Sequence, residues 1–131
     1  MTRRVFLRRR RSRKRQAHLA RLRLVLEAAA RVTAPHFMVP TEIVLQPAGH
    51  RRPPNAEALA RRLAYYIAHT SGQVPMKALS EITGHPYRGK RGVSDIMRRM
   101  EDARDDLDFD ALVTRLEENF QAELGGAGAL S

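Results

Sequence analysis

In segment after segment, this chain carries its apolar residues three and four positions apart, and that period constrains its fold more than any other feature. Leu19, Leu22, Leu26 and Ala29 recur at i, i+3, i+7 and i+10, with Arg21, Arg23 and Arg31 between them. Such spacing places the apolar side chains on one stripe of a helix and the arginines elsewhere. Leu59, Leu63 and Ile67, flanked by Tyr66, form a second stripe, and Met76, Leu79 and Ile82 a third. Val93, Ile96, Met97, Met100 and Ala103 form a fourth, and Phe109, Leu112, Val113, Leu116 and Phe120 a fifth. Thr41 to Leu45 reads either as one short turn of helix or, through β-branched Ile43 and Val44, as strand. The expected fold is all-α, with five or six helices around one modest core, and 131 residues suit a single domain.

Proline and glycine punctuate this pattern. Pro35 is expected to stop the first helix. Gln46 to Asn55 is a loop by composition, broken by Pro47, Gly49, Pro53 and Pro54, and Asn55 suits an N-cap with Glu57 in the first turn behind it. The next helix should end near Ser71 and Gly72. Pro75 suits the first position of the short helix that follows, and Gly84 its C-terminal cap. Asp108 or Asp110 is expected to cap the last helix. Residues 1–15 are expected to be a disordered arginine-rich arm, 16–124 the helical domain and 125–131 a disordered tail rich in glycine.

Charge is distributed as unevenly as polarity. The chain holds 24 Lys and Arg against 14 Asp and Glu, a net charge of +10. Residues 1–26 contribute +11, residues 27–100 +6 and residues 101–131 −7. An excess of this size implies a polyanionic partner, either nucleic acid or an anionic membrane surface. The arm contains Arg8, Arg9, Arg10 and Arg11 among its cations, and self-repulsion should keep it unfolded until phosphate supplies counter-charge. There are no cysteines, which excludes disulfides and thiolate metal sites. No apolar run long enough to span a membrane and no signal-peptide core is visible, so the expected compartment is the cytoplasm, and within it the nucleoid.

Two segments have the character of a DNA interface. The first is a pair of helices, 75–83 and about 92–104, around a loop that carries Arg88, Lys90 and Arg91. In a helix-turn-helix the start of the second helix points its first residues at base edges in the major groove. Lys90, Arg91, Ser94 and Arg98 are then placed to bond bases or phosphate, with Arg88 beside them. The alternative is an ordinary helical hairpin with a solvated basic loop. The second segment is Gly49-His50-Arg51-Arg52-Pro53, a proline-stiffened loop whose Arg51 and Arg52 suit a narrow minor groove; the alternative is a solvated linker. For the arm, the alternatives to a phosphate-binding tail are a membrane-surface segment and an RNA-binding tail.

Two other motifs fail on their chemistry. Gly84 to Arg91 nearly matches the phosphate-cradling G-x-x-x-x-G-K-[ST] loop, but the hydroxyl needed for Mg²⁺ is replaced by Arg91, and no buried strand precedes it. Asp106, Asp108, Asp110 and Glu117 have the spacing of a Ca²⁺ loop, but the required glycine is Ala111 and the stretch reads as continuous helix. The five histidines show no zinc spacing, and no nucleophile has a recognisable base partner, so neither an enzyme nor a cofactor is expected.

The stretch from Arg52 to Met100 resembles the DNA-binding domain of the bacterial replication initiator DnaA. The resemblance rests on the Arg52-Pro53 loop, the helix from Glu57 to Leu63, the helix holding Leu79 to Ile82, and the segment Val93-Ser94-Asp95-Ile96-Met97-Arg98-Arg99-Met100 as recognition helix. Val25 to Leu45 fits that domain's leading helices more loosely. The resemblance implies a helix-turn-helix and a minor-groove role for Arg52. The family's recognition helix begins Asp-His-Thr-Thr, where this chain has Gly89-Lys90-Arg91-Gly92, so a different DNA sequence is expected. A stand-alone relative, without that family's ATPase domain, is expected. Short proteins of this kind resemble the DnaA-like subunit of alphaproteobacterial gene transfer agent activators. That resemblance implies a sequence-specific transcription regulator, an activator, working with a sigma-factor-like partner and RNA polymerase. The rival expectations are a replication or nucleoid-associated protein and an RNA-binding or ribosome-associated protein. The RNA reading lacks an aromatic stacking platform, since only seven aromatics occur, mostly at core-like positions.

Overall fold

A computed structural model describes the backbone of residues 3–46 and 55–129 and the side chains of residues 12–46 and 55–126. Among the described residues six helices follow one another: α1 (Arg3–His36), α2 (Thr41–Leu45), α3 (Asn55–Thr70), α4 (Met76–Thr83), α5 (Val93–Ala103) and α6 (Leu107–Ala129). Among the described residues there is no strand, so the all-α expectation holds and Thr41 to Leu45 is helix. No helix among these residues is long and apolar enough to cross a membrane.

The centre of the molecule is α3, which packs against each of the other five helices and most extensively against α1. The reason is in its sequence: Leu63, Ala64, Tyr65, Tyr66, Ile67 and Ala68 are all buried, so apolar surface wraps most of its circumference. The facing part of α1 offers Leu26, Ala28, Ala29, Ala30 and Ala34. Alanines on both helices let their axes approach closely. Larger side chains close the remaining sides: Leu79 from α4, Val93 and Ile96 from α5, and Val113, Leu116 and Phe120 from α6. Each such side chain contributes roughly 1.5–3 kcal/mol on burial. The five-residue α2 is far too short to persist alone. Arg61 of α3 holds it by donating to the carbonyls of Ile43 at 2.8 Å and Val44 at 3.4 Å.

Several boundaries differ from those expected. The first helix begins at Arg3 and takes in the arm expected to be unfolded. Arginine and leucine are good helix formers, no glycine or proline interrupts residues 3–34, and extending a helix is far easier than starting one. Residues 12–18 are exposed on all faces, so this part of α1 runs beyond the core. Pro35 lies inside the last turn rather than before it. The chain turns one residue later, with Met38 in the left-handed region (φ 57°) and the Val39 N–H donating to Ala34 O at 3.0 Å. Pro75 is the N-cap of α4 rather than its first residue. The cap of α6 is Asp106, whose Oδ1 accepts the Phe109 N–H at 3.0 Å, whereas Asp108 is free of that role and Asp110 is engaged elsewhere. The same helix continues through Gly125, Gly126 and Gly128, where a disordered tail was expected, because each residue there extends an established helix.

Candidate nucleic-acid interface

Residues 84–92, between α4 and α5, fold tightly by their own backbone. Gly84 takes a left-handed conformation (φ 78°) that ends α4, its N–H donating to Ser80 O at 3.0 Å. Ser80 Oγ then donates to His85 O at 2.6 Å. The His85 ring packs edge-on against Tyr65 of α3, with centroids 5.5 Å apart. Burial and the nearby Arg61 charge lower the pKa of this histidine, so the neutral ring is the favoured form. Pro86 O accepts the Val93 N–H at 2.9 Å and Tyr87 O the Ser94 N–H at 3.0 Å. The loop's carbonyls therefore satisfy the first donors of α5, which has no side-chain cap at Gly92. Gly92 must be glycine for lack of space: a Cβ there would lie 2.8 Å from Arg88 O and 3.0 Å from Pro86 O.

With its base anchored in this way, the loop turns Arg88, Lys90 and Arg91 outward, all three exposed. The Arg88 guanidinium lies over the Tyr87 ring, 5.8 Å from its centroid. Arg91 occupies the left-handed region (φ 64°), unusual for a residue with a side chain. Its N–H donates to Asp95 Oδ2 at 3.2 Å. Asp95 is 9% exposed and gathers two more cations, Arg98 Nη2 at 2.6 Å on Oδ1 and Arg99 Nε at 3.1 Å on Oδ2. Those two side chains are 72% and 53% exposed. The Arg98 hydrogen bond first, and then the Arg91 N–H, hold the Asp95 carboxyl below its ordinary pKa. Gly89, Lys90, Ser94, Asp95 and Arg98 line one shallow concavity.

The structure thus brings Lys90, Ser94 and Arg98 together, with Arg88 and Arg91 on the same loop. Arg51 and Arg52 lie outside the described residues, and so do the side chains of Arg8, Arg9, Arg10 and Arg11, whose backbone belongs to α1. The site reading from sequence left out Asp95 and Arg99. Their i, i+3 and i, i+4 spacing was a readable signal, since such pairs meet on one helix face.

At the other end of α5 the chemistry reverses. Arg104, just past the helix, is only 24% exposed. Its Nε donates to Asp110 at 2.5 Å, its Nη1 to Glu117 at 3.2 Å and to the Tyr66 hydroxyl at 3.3 Å, and its Nη2 to Thr114 at 3.3 Å. Tyr66 OH also donates to Glu101, and Ser71 Oγ donates to Glu117 at 2.5 Å. This network ties α3, α5 and α6 together. Around it Glu101, Asp102, Asp105, Asp106 and Asp108 are exposed. Among the described residues no cluster of His, Cys, Asp and Glu could hold a metal ion. Comparison with protein families, with curated proteins and with solved structures returns no match for this chain.

Proposed function

We propose that this protein binds duplex DNA by placing the loop 84–92 and the first turns of α5 in the major groove, and that it acts there as a transcription regulator. The observation that carries this reading is five exposed cations, Arg88, Lys90, Arg91, Arg98 and Arg99, on one loop and the first two turns of the helix behind it, with Arg98 and Arg99 paired to one carboxylate. The N-terminal end of the helix dipole lies there as well. The acidic residues at the far end of α5 would be repelled by phosphate, so the helix approaches a polyanion N-terminus first. An 11-residue helix is about 16 Å long and about 10–12 Å across with its side chains, which suits a groove about 12 Å wide. The positive α1 supplies phosphate contacts that add affinity without reading sequence. Tyr65, Tyr66 and Phe120 are sealed in the core and Phe37 and Phe109 pack against it, so among the described aromatics Tyr87 alone is at the interface, too few rings to stack successive unpaired bases, which favours duplex DNA over RNA. The resemblance to the DnaA-like subunit of gene transfer agent activators extends the reading to promoter binding in the nucleoid, with a sigma-factor-like partner and RNA polymerase.

The test is a titration at one fixed salt concentration of a random 25-base-pair duplex, one of its single strands and an RNA hairpin of equal charge. The duplex should bind tightest. Replacing Arg88, Lys90 and Arg91 together by alanine should weaken that binding tenfold or more. Tighter binding to the hairpin would replace this reading with RNA recognition, and full binding by the triple variant would place the interface elsewhere.

A further inference from the structure

We infer that Asp95 is a latch that keeps Arg98 and Arg99 off phosphate on indiscriminate DNA, and so is a positioning residue that sets specificity at this interface. The inference rests on the duplex reading above.

A carboxylate is out of place on a surface that meets phosphate. If Asp95 only capped α5, one backbone donor would suffice, and the Arg91 N–H at 3.2 Å is that donor. Instead each oxygen also holds a guanidinium, Arg98 on Oδ1 and Arg99 on Oδ2. The two arginines are otherwise well exposed, so the interior of the protein does not require them to be there. Their shared partner is nearly buried at the edge of the concavity lined by Lys90 and Ser94. A carboxylate fixed by its own helix and by the loop forms a preorganised site for both cations. A phosphate on an ill-fitting duplex must compete with that carboxylate for either one. A duplex whose base edges match Lys90, Arg91 and Ser94 brings phosphates close enough to complete that exchange. The same carboxylate holds Arg91 in its left-handed turn, so the latch and the aim of the loop are coupled through one residue.

The salt dependence of binding reads this directly. Each phosphate neutralised by a cation contributes about −0.9 to the slope of log K against log salt. On a random 25-base-pair duplex, Asp95→Asn should bind more tightly than the wild type, and its slope should steepen by up to about 1.8, the share of two released arginines. Asparagine can still accept the Arg91 N–H, so the cap survives the loss of charge. Asp95→Glu should restore the wild-type slope. In the wild-type background, Arg98→Ala with Arg99→Ala should lower the slope by less than one, a comparison that touches only exposed side chains and stands even if Asp95→Asn fails to fold. Weaker binding by a folded Asp95→Asn at an unchanged slope would reduce Asp95 to a helix cap and overturn the latch. So would a fall of nearly two in the double arginine variant. A wild-type chain that does not prefer duplex to single strand would overturn the duplex reading itself, and the latch with it.

Discussion

Two arginine–carboxylate clusters stand at the two ends of α5, built on opposite plans. At the start of the helix one nearly buried acid, Asp95, holds two exposed arginines. Just past its end one half-buried arginine, Arg104, is held by two acids, Asp110 and Glu117, and by Tyr66. The pairing chemistry is the same, but the stoichiometry and the burial are inverted. The first cluster leaves surplus positive charge in water, where ion pairs contribute little to stability and remain open to exchange. The second leaves surplus negative charge and buries the group that would be costly to leave unpaired. Such a difference separates a surface that meets a partner from a clasp that closes a fold.

The largest expected effect tests the clasp. Arg104→Ala strands Asp110 and Glu117 without their cation, and urea unfolding should show a loss of about 2–3 kcal/mol, the scale for charge-assisted hydrogen bonds lost from a half-buried site. If stability held while duplex binding collapsed, the roles assigned to the two clusters would be exchanged. The next effect is that of Gly92→Ala. The new methyl meets the backbone carbonyls of Arg88 and Pro86, so the loop must open and give up the bond from Val93 to Pro86. A loss of about 1–2 kcal/mol should accompany weaker duplex binding, because strain costs stability and the loop aims Lys90 and Arg91. Duplex affinity equal to wild type would show that loop geometry does not aim those cations. By contrast, Arg98→Ala with Arg99→Ala should move the thermal midpoint by less than about 2 °C, as expected of exposed pairs. A larger shift would make the first cluster a clasp as well.

The smallest effect is in pH. Burial first, and then the Glu101 hydrogen bond, raise the Tyr66 pKa above its ordinary 10.0, and burial pushes Tyr65 up to about 12. The folded state therefore keeps phenolic protons that the unfolded chain loses. Their stabilisation is complete below pH 10 and fades as the pH rises from there through the folded values. Asp95 works in the opposite direction. Its lowered pKa contributes stability above its ordinary 3.8 that is lost as the pH falls through the folded value. Melting curves should thus show an alkaline loss shared by Tyr66 in the Arg104 network and Tyr65 behind His85, and an acid loss from Asp95. Tyr66→Phe should flatten the decline between pH 10 and 12. An unchanged decline would remove Tyr66 from the alkaline response.

Where a residue's role follows from its neighbours in the chain, the sequence was enough to find it. The stripes of α3, α4 and α5 are periodic, and Gly84 is a cap because the helix must stop there, so these were legible. The exposed cations of residues 88–91 were legible because a loop between two short apolar stripes turns its charge to solvent. Asp95 was within reach through its spacing to Arg98 and Arg99, but a reading that looked only for cations passed over it. Arg104 was not within reach. Its partners come from two other helices, and one of them, Tyr66, lies 38 positions away.

By itself, then, the sequence determined an all-helical chain, its order of short helices, and a cationic surface between α4 and α5 opposed to an acidic one beyond α5. Periodicity and charge are local properties, fixed before any packing occurs. Only the tertiary structure decided that the arginine-rich start continues α1, that α3 rather than α1 is the centre, and which charges are spent inside the molecule. Those choices depend on which surfaces exclude water together. Arg98 and Arg104 are the same residue six positions apart, yet burial against α3 and α6 makes one a strut and leaves the other free to be exchanged.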